Sequence, residues 1–261
     1  MSSIRIRDME GADEYFVSTC SHVNESDELD AHARGRLQWL KANYEKGLRV
    51  KVALVDDNRV GFLYLMPIEI CPWGPLGEDI MVLPCLWVVN EARNKGIGKA
   101  LIDSAEQETQ RQKRKALAVF GFYYDYCLWF MPGPFFEKYG FSAVQRRDEV
   151  GILWKVFDES AKPPKLLERN YKFERVPNKV VVDVFWHSFC LTSIGEAQRV
   201  REVVAEFGDS VVLNEYCGDD RDILLRHQTA RAIFLNGTEI SWGYQAPKEG
   251  IHEAISKALN S

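Results

Sequence analysis

The stretch Leu86-Trp87-Val88-Val89-Asn90-Glu91-Ala92-Arg93-Asn94-Lys95-Gly96-Ile97-Gly98-Lys99 decides the fold of the first half of this chain. Its apolar start reads as the end of a buried strand, and from Gly98 a helix runs to a basic finish near residue 115. Between them, two glycines at spacing two let main chain approach a ligand with no side chain in the way. A helix start has unpaired N–H groups and partial positive charge, so the junction suits a pyrophosphate. Arg93, Lys95 and Lys99 add charge of the right sign. Two familiar phosphate motifs do not fit. The dinucleotide fingerprint needs a third glycine, and the nucleotide-triphosphate loop needs Gly-Lys-Ser/Thr where this chain has Gly-Lys-Ala. Taken alone, Gly-x-Gly is equally compatible with a plain turn whose lysines are solvated.

On the N-terminal side, residues 4–7 alternate apolar and basic as a strand does. Residues 13–46 have helical composition, with Leu37, Leu40 and Tyr44 at helical spacing. Residues 50–55 and 60–66 read as a hairpin about Asp56-Asp57-Asn58-Arg59, and 71–77 form a breaker-rich loop before a strand at 80–89. On the C-terminal side come a strand at 116–121, a short helix through Phe135, Phe136 and Tyr139, and strands at 141–144 and 152–157. Lys162-Pro163-Pro164-Lys165 reads as a stiff, wet linker. The expected domains are therefore 1–158 and 178–261, joined by 159–177. The second has the order β-α-β-α-β-β-α: strands at 180–185 and 211–216, helices at 194–207, 222–228 and 248–259, and a hairpin of 232–235 with 239–242 about Asn236-Gly237.

The totals agree with two ordinary globular domains. At 261 residues the chain exceeds the usual ~100–200 of one domain. With 46% hydrophobic and 27% charged residues, each half can bury a core without a metal or a disulfide. A net charge of −5 argues against nucleic acid or an anionic membrane as partner, since both call for a basic face. Six cysteines without a CxxC pair argue against a zinc site or disulfide framework. The start lacks a signal-peptide stretch, and no run approaches ~18 apolar residues. The expectation is a cytoplasmic protein with reduced thiols.

Arg93-Asn94-Lys95-Gly96-Ile97-Gly98 resembles the Arg/Gln-x-x-Gly-x-Gly/Ala signature of the GNAT superfamily of N-acetyltransferases. Phe135-Phe136-Glu137-Lys138-Tyr139-Gly140-Phe141 resembles that family's second motif, aromatic-Tyr-Glu-Lys/Arg-x-Gly-Phe. The resemblance covers residues 1–157. It implies an α/β (α+β) fold whose mixed twisted sheet splays into a V-shaped cleft between its fourth and fifth strands. Acetyl-CoA would lie in that cleft, as cosubstrate for a small amine acceptor. Main chain of Leu86, Trp87 and Val88 would run beside the pantetheine, pairing with its amides through Leu86 and Val88. The segment Arg93, Asn94, Lys95, Gly96, Ile97, Gly98 and Lys99 would hold the pyrophosphate, and Phe136 would contribute to the cofactor site.

The family reaction is direct attack of a neutral amine on the thioester, which needs a proton acceptor, oxyanion donors and a proton for the departing thiolate. Here the chain departs from the pattern. Phe136 stands where many members carry a tyrosine acid, leaving Tyr139, Tyr123, Tyr124 and Tyr126 as candidates, with water as the alternative donor to the thiolate. Val82 stands near the position of a base glutamate in some members, leaving Glu78 and Asp79 just before it, either as bases acting through water or as solvated loop carboxylates. These departures keep open a non-catalytic acyl-CoA sensor. Trp129, Met131, Phe135 and Phe136 read as core packing, with a wall of the acceptor pocket as the alternative, and Cys85 and Cys127 as small hydrophobes near the cleft. No motif names the acceptor, and no cluster suggests a metal.

In the second half, Phe185-Trp186-His187-Ser188-Phe189-Cys190-Leu191-Thr192-Ser193 follows a strand and opens a helix, where a thiolate is favoured by the helix N-terminus. The string resembles the thioredoxin active-site segment, and the whole tail resembles the thioredoxin-like domain of the YoaP-like group. Ser193 replaces the second cysteine, so no intramolecular dithiol cycle is available. Thr229 stands near the place of the thioredoxin cis-proline. The expectation is a monothiol site at Cys190 with Ser193, or an interaction module, including one that forms a homodimer.

Overall fold

The computed structural model describes residues 3–124 and 130–260 of the protein. The chain divides into two compact units, Met1–Leu166 and Leu167–Ser261. The first contains β1 (Ile4–Asp8), α1 (Glu14–Ser18), α2 (Asp27–Ala42), β2 (Arg49–Val55), β3 (Asn58–Pro67) and β4 (Ile80–Val88). It continues with α3 (Ile97–Arg111), β5 (Ala116–Phe122), α4 (Gly133–Lys138), β6 (Ser142–Arg147) and β7 (Val150–Val156). The helical composition at 13–46 folds as two helices. Cys20, Ser21 and Asn24 take left-handed φ values of 54°, 70° and 60°, which breaks the run. Ser26 then caps α2, its hydroxyl accepting the Leu29 N–H, ahead of the acidic first turn Asp27, Glu28 and Asp30.

The seven strands form one mixed sheet in the order β1-β2-β3-β4-β5-β7-β6. Every neighbouring pair is antiparallel except β4 with β5. Parallel pairing there covers only Ile80–Leu83 against Ala116–Val119, although β4 runs on to Val88 and β5 to Phe122. Two features of β4 end it. Pro84 has no N–H to contribute to a ladder. Register against β3 slips between Tyr64↔Cys85 and Met66↔Val82, which puts an extra residue on β4 at the same place and bends the strand. Burial follows the split: residues 80–84 are buried and 85–88 half-buried. The sheet is splayed, as the resemblance implies.

α3 lays Ile97, Leu101, Ile102 and Ala105 onto Met81, Leu83, Leu117 and Val119, a core that also takes in Phe136 of α4. Beside it lies a buried charge cluster. The Glu108 side chain on α3 is 3% exposed and accepts from Arg111 (2.5 and 2.9 Å), Gln112 (2.7 Å) and Lys51 of β2 (3.2 Å).

The second unit contains β8 (Val180–Trp186), α5 (Leu191–Glu206), β9 (Val211–Cys217), α6 (Arg221–His227), β10 (Ala232–Leu235), β11 (Thr238–Ile240) and α7 (Lys248–Leu259). Its sheet order is β11-β10-β8-β9, with β8 and β9 parallel and the other pairs antiparallel. Asn236 and Gly237 both take positive φ (48° and 82°), as a tight hairpin turn requires.

The segment expected as a linker is tied down along both parts. Lys165 bridges Leu76 within the first unit. Residues 167–177 lie along the second unit's own surface. There the Tyr171 ring stacks on Phe234 with centroids 3.9 Å apart, and its hydroxyl donates to buried Asp183 at 2.5 Å. Arg169 forms a two-point ion pair with Glu239, and the Glu168 N–H donates to Gln228 Oε1, 60 residues on. Aromatic and charged anchors inside a polar, proline-flanked stretch are invisible to composition alone.

Candidate functional site

At the junction of β4 and α3, Asn94 (φ 60°) and Gly96 (φ 82°) turn the chain left-handed before the helix begins. Among the described residues, the main-chain N–H groups from Asn94 through Lys99 donate to no acceptor, and Ala100 is the first to bond, to the Gly96 carbonyl. Successive unpaired amides with a helix N-terminus behind them form an anion-binding concavity. Residues 94–96 are exposed. The basic side chains are held close by. Arg93 Nε donates to the Val88 carbonyl at 3.2 Å while its guanidinium lies 4.8 Å from the Trp87 ring centroid. Lys95 donates to the Glu91 carbonyl at 2.8 Å, and Lys99 to Asp103 at 2.5 Å, a bond that raises the Lys99 pKa.

Gly98 has a packing reason to be glycine. A Cβ there would come within 2.9 Å of the Phe135 ring. Phe135 in turn meets Phe136 and Tyr139 edge-on, each at 5.1 Å. The two sequence motifs therefore touch. The family model of the acetyltransferase (GNAT) domain matches residues 46–143. That GNAT match begins ahead of β2 and ends within β6, so it takes in the split, the amide cradle and α4.

Among solved structures, the chain is similar to the PaiA N-acetyltransferase of Thermoplasma acidophilum in complex with coenzyme A: 17% identity over 59% of this chain and 99% of that one, TM-score 0.43. It is similar to YncA of Salmonella typhimurium, solved with acetyl-CoA: 15% identity, 61% and 97% covered, TM-score 0.46. A ribosomal-protein-alanine N-acetyltransferase of Brucella melitensis gives 18% identity, 59% and 99% covered, TM-score 0.43. No curated protein matches the chain.

The open half of β4 presents an edge. The Val89 N–H donates to Val60 on β3, so by the two-residue period Leu86 and Val88 direct their main-chain groups to the other edge. The Leu86 N–H there meets Met131 Sδ at 3.2 Å. The Trp87 side chain leaves by a sheet face, where its Nε1–H donates to Ser21 Oγ at 3.1 Å. Cys85 is half-buried on the same stretch.

Each described proton-transfer candidate has a definite setting in the structure. Glu78 and Asp79 lie before the closed end of β4, five to eight residues from Pro84 and Leu86, which is ~17–26 Å along a strand. Both are also engaged: Lys162 donates to Glu78 at 2.5 Å and holds its pKa low, and Asp79 pairs with Lys115 at 3.3 Å. A strand carries its residues straight away from one another. Phe136 is fully buried, ringed by Phe135 and Phe141. Tyr139 is half-buried on the aromatic cluster. Tyr123 is occupied, donating to Glu137 at 2.7 Å, and burial together with that bond pushes its pKa up to about 12. Tyr124 stacks on Phe122. Tyr126, Cys127 and Trp129 lie outside the described residues.

In the second unit Cys190 is the half-buried N-cap of α5. Buried Ser193 accepts the His187 N–H at 3.0 Å, so it braces the turn that presents the cysteine. Thr229 bonds the His227 carbonyl. Arg231 donates to Glu196 and to the Tyr244 carbonyl, both at 2.6 Å; burial opposes its charge most strongly of any one cause, but the Glu196 bond and the nearby negative charges together exceed it and raise the pKa. Cys217 contrasts with an exposed nucleophile, because burial pushes its thiol up to about 12.

Proposed function

We propose that the first unit, expected as residues 1–158, is an N-acetyltransferase that moves an acetyl group from acetyl-CoA to the primary amine of a small molecule. The observation that carries this reading is the run of unpartnered amides from Asn94 to Lys99 beside a sheet edge opened at Pro84. The donor set fits the cosubstrate. The diphosphate of CoA wants successive N–H donors and nearby cations, and a pantetheine arm carries amides suited to a strand edge. The match of residues 46–143 to the acetyltransferase (GNAT) domain supports it.

Acetyl-CoA supplies an activated acyl group on a thioester. In this reading Asn94 to Lys99 anchor its phosphates, with Arg93, Lys95 and Lys99 adding field, and Leu86 and Val88 align its arm beside Trp87. Phe136 acts from beneath, by fixing Phe135 against Gly98 and Tyr139. Transfer forms a bond from amine nitrogen to acyl carbon and breaks the C–S bond, so one proton must leave the nitrogen and one must reach the sulfur. Tyr139 is the remaining described tyrosine of the second motif for the latter step. A thiolate of pKa ~8.5 also leaves with help from water.

A second reading is favoured by a specific observation: the carboxylates nearest β4 in sequence sit at its closed end. The unit would then be a non-catalytic acyl-CoA sensor. Calorimetry and CoA-thiol release across a panel of amines separate the two. Binding with turnover supports the transferase; tight binding with no turnover supports the sensor; no binding refutes both. For the second unit we propose a thioredoxin-like, YoaP-like domain, supported by its strand order, with Cys190 and Ser193 as a monothiol site or the unit as an interaction or homodimer module. Cytoplasmic residence agrees with this reading, and among the described residues no helix is long and apolar enough to cross a membrane.

A further inference from the structure

Met131 occupies the open edge of the split. Its carbonyl accepts the Phe122 N–H of β5 at 2.9 Å, Pro132 forms a parallel bridge with Phe122, and its sulfur accepts the Leu86 N–H of β4 at 3.2 Å. One residue thus touches both arms of the V. The side chain is 3% exposed and belongs to the core under α3. Because Pro84 has no N–H, and Cys85 faces β3, Leu86 carries the first donor on the opened edge.

We infer that Met131 sets the affinity of the cleft for acyl-CoA: it holds the Leu86 N–H in the free protein and gives it up when a pantetheine amide arrives. This rests on the acetyl-CoA reading above. Three properties suit Met131 to a contact that is made and released. A thioether is a weak acceptor, so an amide carbonyl outcompetes it for the same donor. Met131 takes a left-handed φ of 46°, costly for a residue with a side chain, so the closed arrangement is strained where it must yield. Its unbranched chain repacks readily in an apolar setting. A purely structural core residue needs neither the strained backbone nor the sulfur bond across the split.

The test compares the full-length protein with Met131→Leu, which keeps the bulk and removes the acceptor, and Met131→Ala. Readouts are the dissociation constant for CoA by calorimetry and hydrogen exchange of the Leu86 amide by NMR. Expected are faster Leu86 exchange in both variants and CoA binding roughly threefold to tenfold tighter, the range set by losing one weak hydrogen bond that competes with the ligand. Unchanged exchange overturns the proposal. So does CoA binding that is equal or weaker in both variants while wild type binds. If none of the three proteins binds CoA, the acetyl-CoA reading falls and takes this proposal with it.

Discussion

Replacing Glu108 with glutamine should destabilise the first unit by about 3 kcal/mol at neutral pH, and the penalty should vanish in acid. Burial by itself would raise the Glu108 pKa. Hydrogen bonds from Arg111 and Gln112, with Lys51 alongside, overcome it and bring the pKa down to about 2 from an ordinary 4.5. At ~1.4 kcal/mol for each tenfold change in proton affinity, that difference is worth about 3 kcal/mol. The sign follows from the direction. A carboxylate with a depressed folded-state pKa stabilises fully above its unfolded value near 4.5, and the contribution is lost as pH falls from there toward 2. A second estimate agrees: removing one partner of a buried pair costs ~3–5 kcal/mol, and here the side chain of Lys51, only 10% exposed, would keep Asp8 alone. Urea unfolding of wild type and Glu108→Gln at pH 7, 4 and 2.5 measures the difference. Comparing two proteins at each pH cancels other low-pKa carboxylates, such as Asp13, which arginines hold low against burial. A penalty that stays constant with pH would refute the reasoning, because it would then come from shape rather than charge.

Three further outcomes are expected. Gly98→Ala should weaken CoA binding at least tenfold by calorimetry, since its Cβ drives Phe135 off the helix start, and Gly98→Trp should abolish it. Tyr171→Phe should cost roughly 1–3 kcal/mol in urea unfolding of the second unit, because buried Asp183 keeps Asn214 and Tyr216 but loses its 2.5 Å phenol partner. Cys190→Ser should leave CoA affinity unchanged within error; a clear loss by calorimetry would mean the cysteine serves the first unit.

How much was legible depended on the range of the interactions. Strand, turn and helix around residues 86–99 follow from local pattern, and the Asn236-Gly237 turn from its need for two positive φ values. So does the start of α5 beside Cys190, although the helix begins three residues earlier than its spacing suggested. The Glu108 cluster was hidden because its partner Lys51 lies 57 residues away on another element. Met131 read correctly as buried, but nothing in its neighbours reveals a sulfur bond to Leu86, 45 residues earlier. The setting of Glu78 and Asp79 was not legible in their neighbours, because the ladder beside them is closed and the opening lies past Pro84.

The strap at 167–177 also orders events in time. During synthesis Glu168 emerges 60 residues before its acceptor Gln228. At ~5–20 residues per second, the ribosome needs about 3–12 s to deliver that partner. For those seconds the Tyr171 ring lacks Phe234, on which it later stacks. The second unit is sealed by a piece of chain that was made first and docks late.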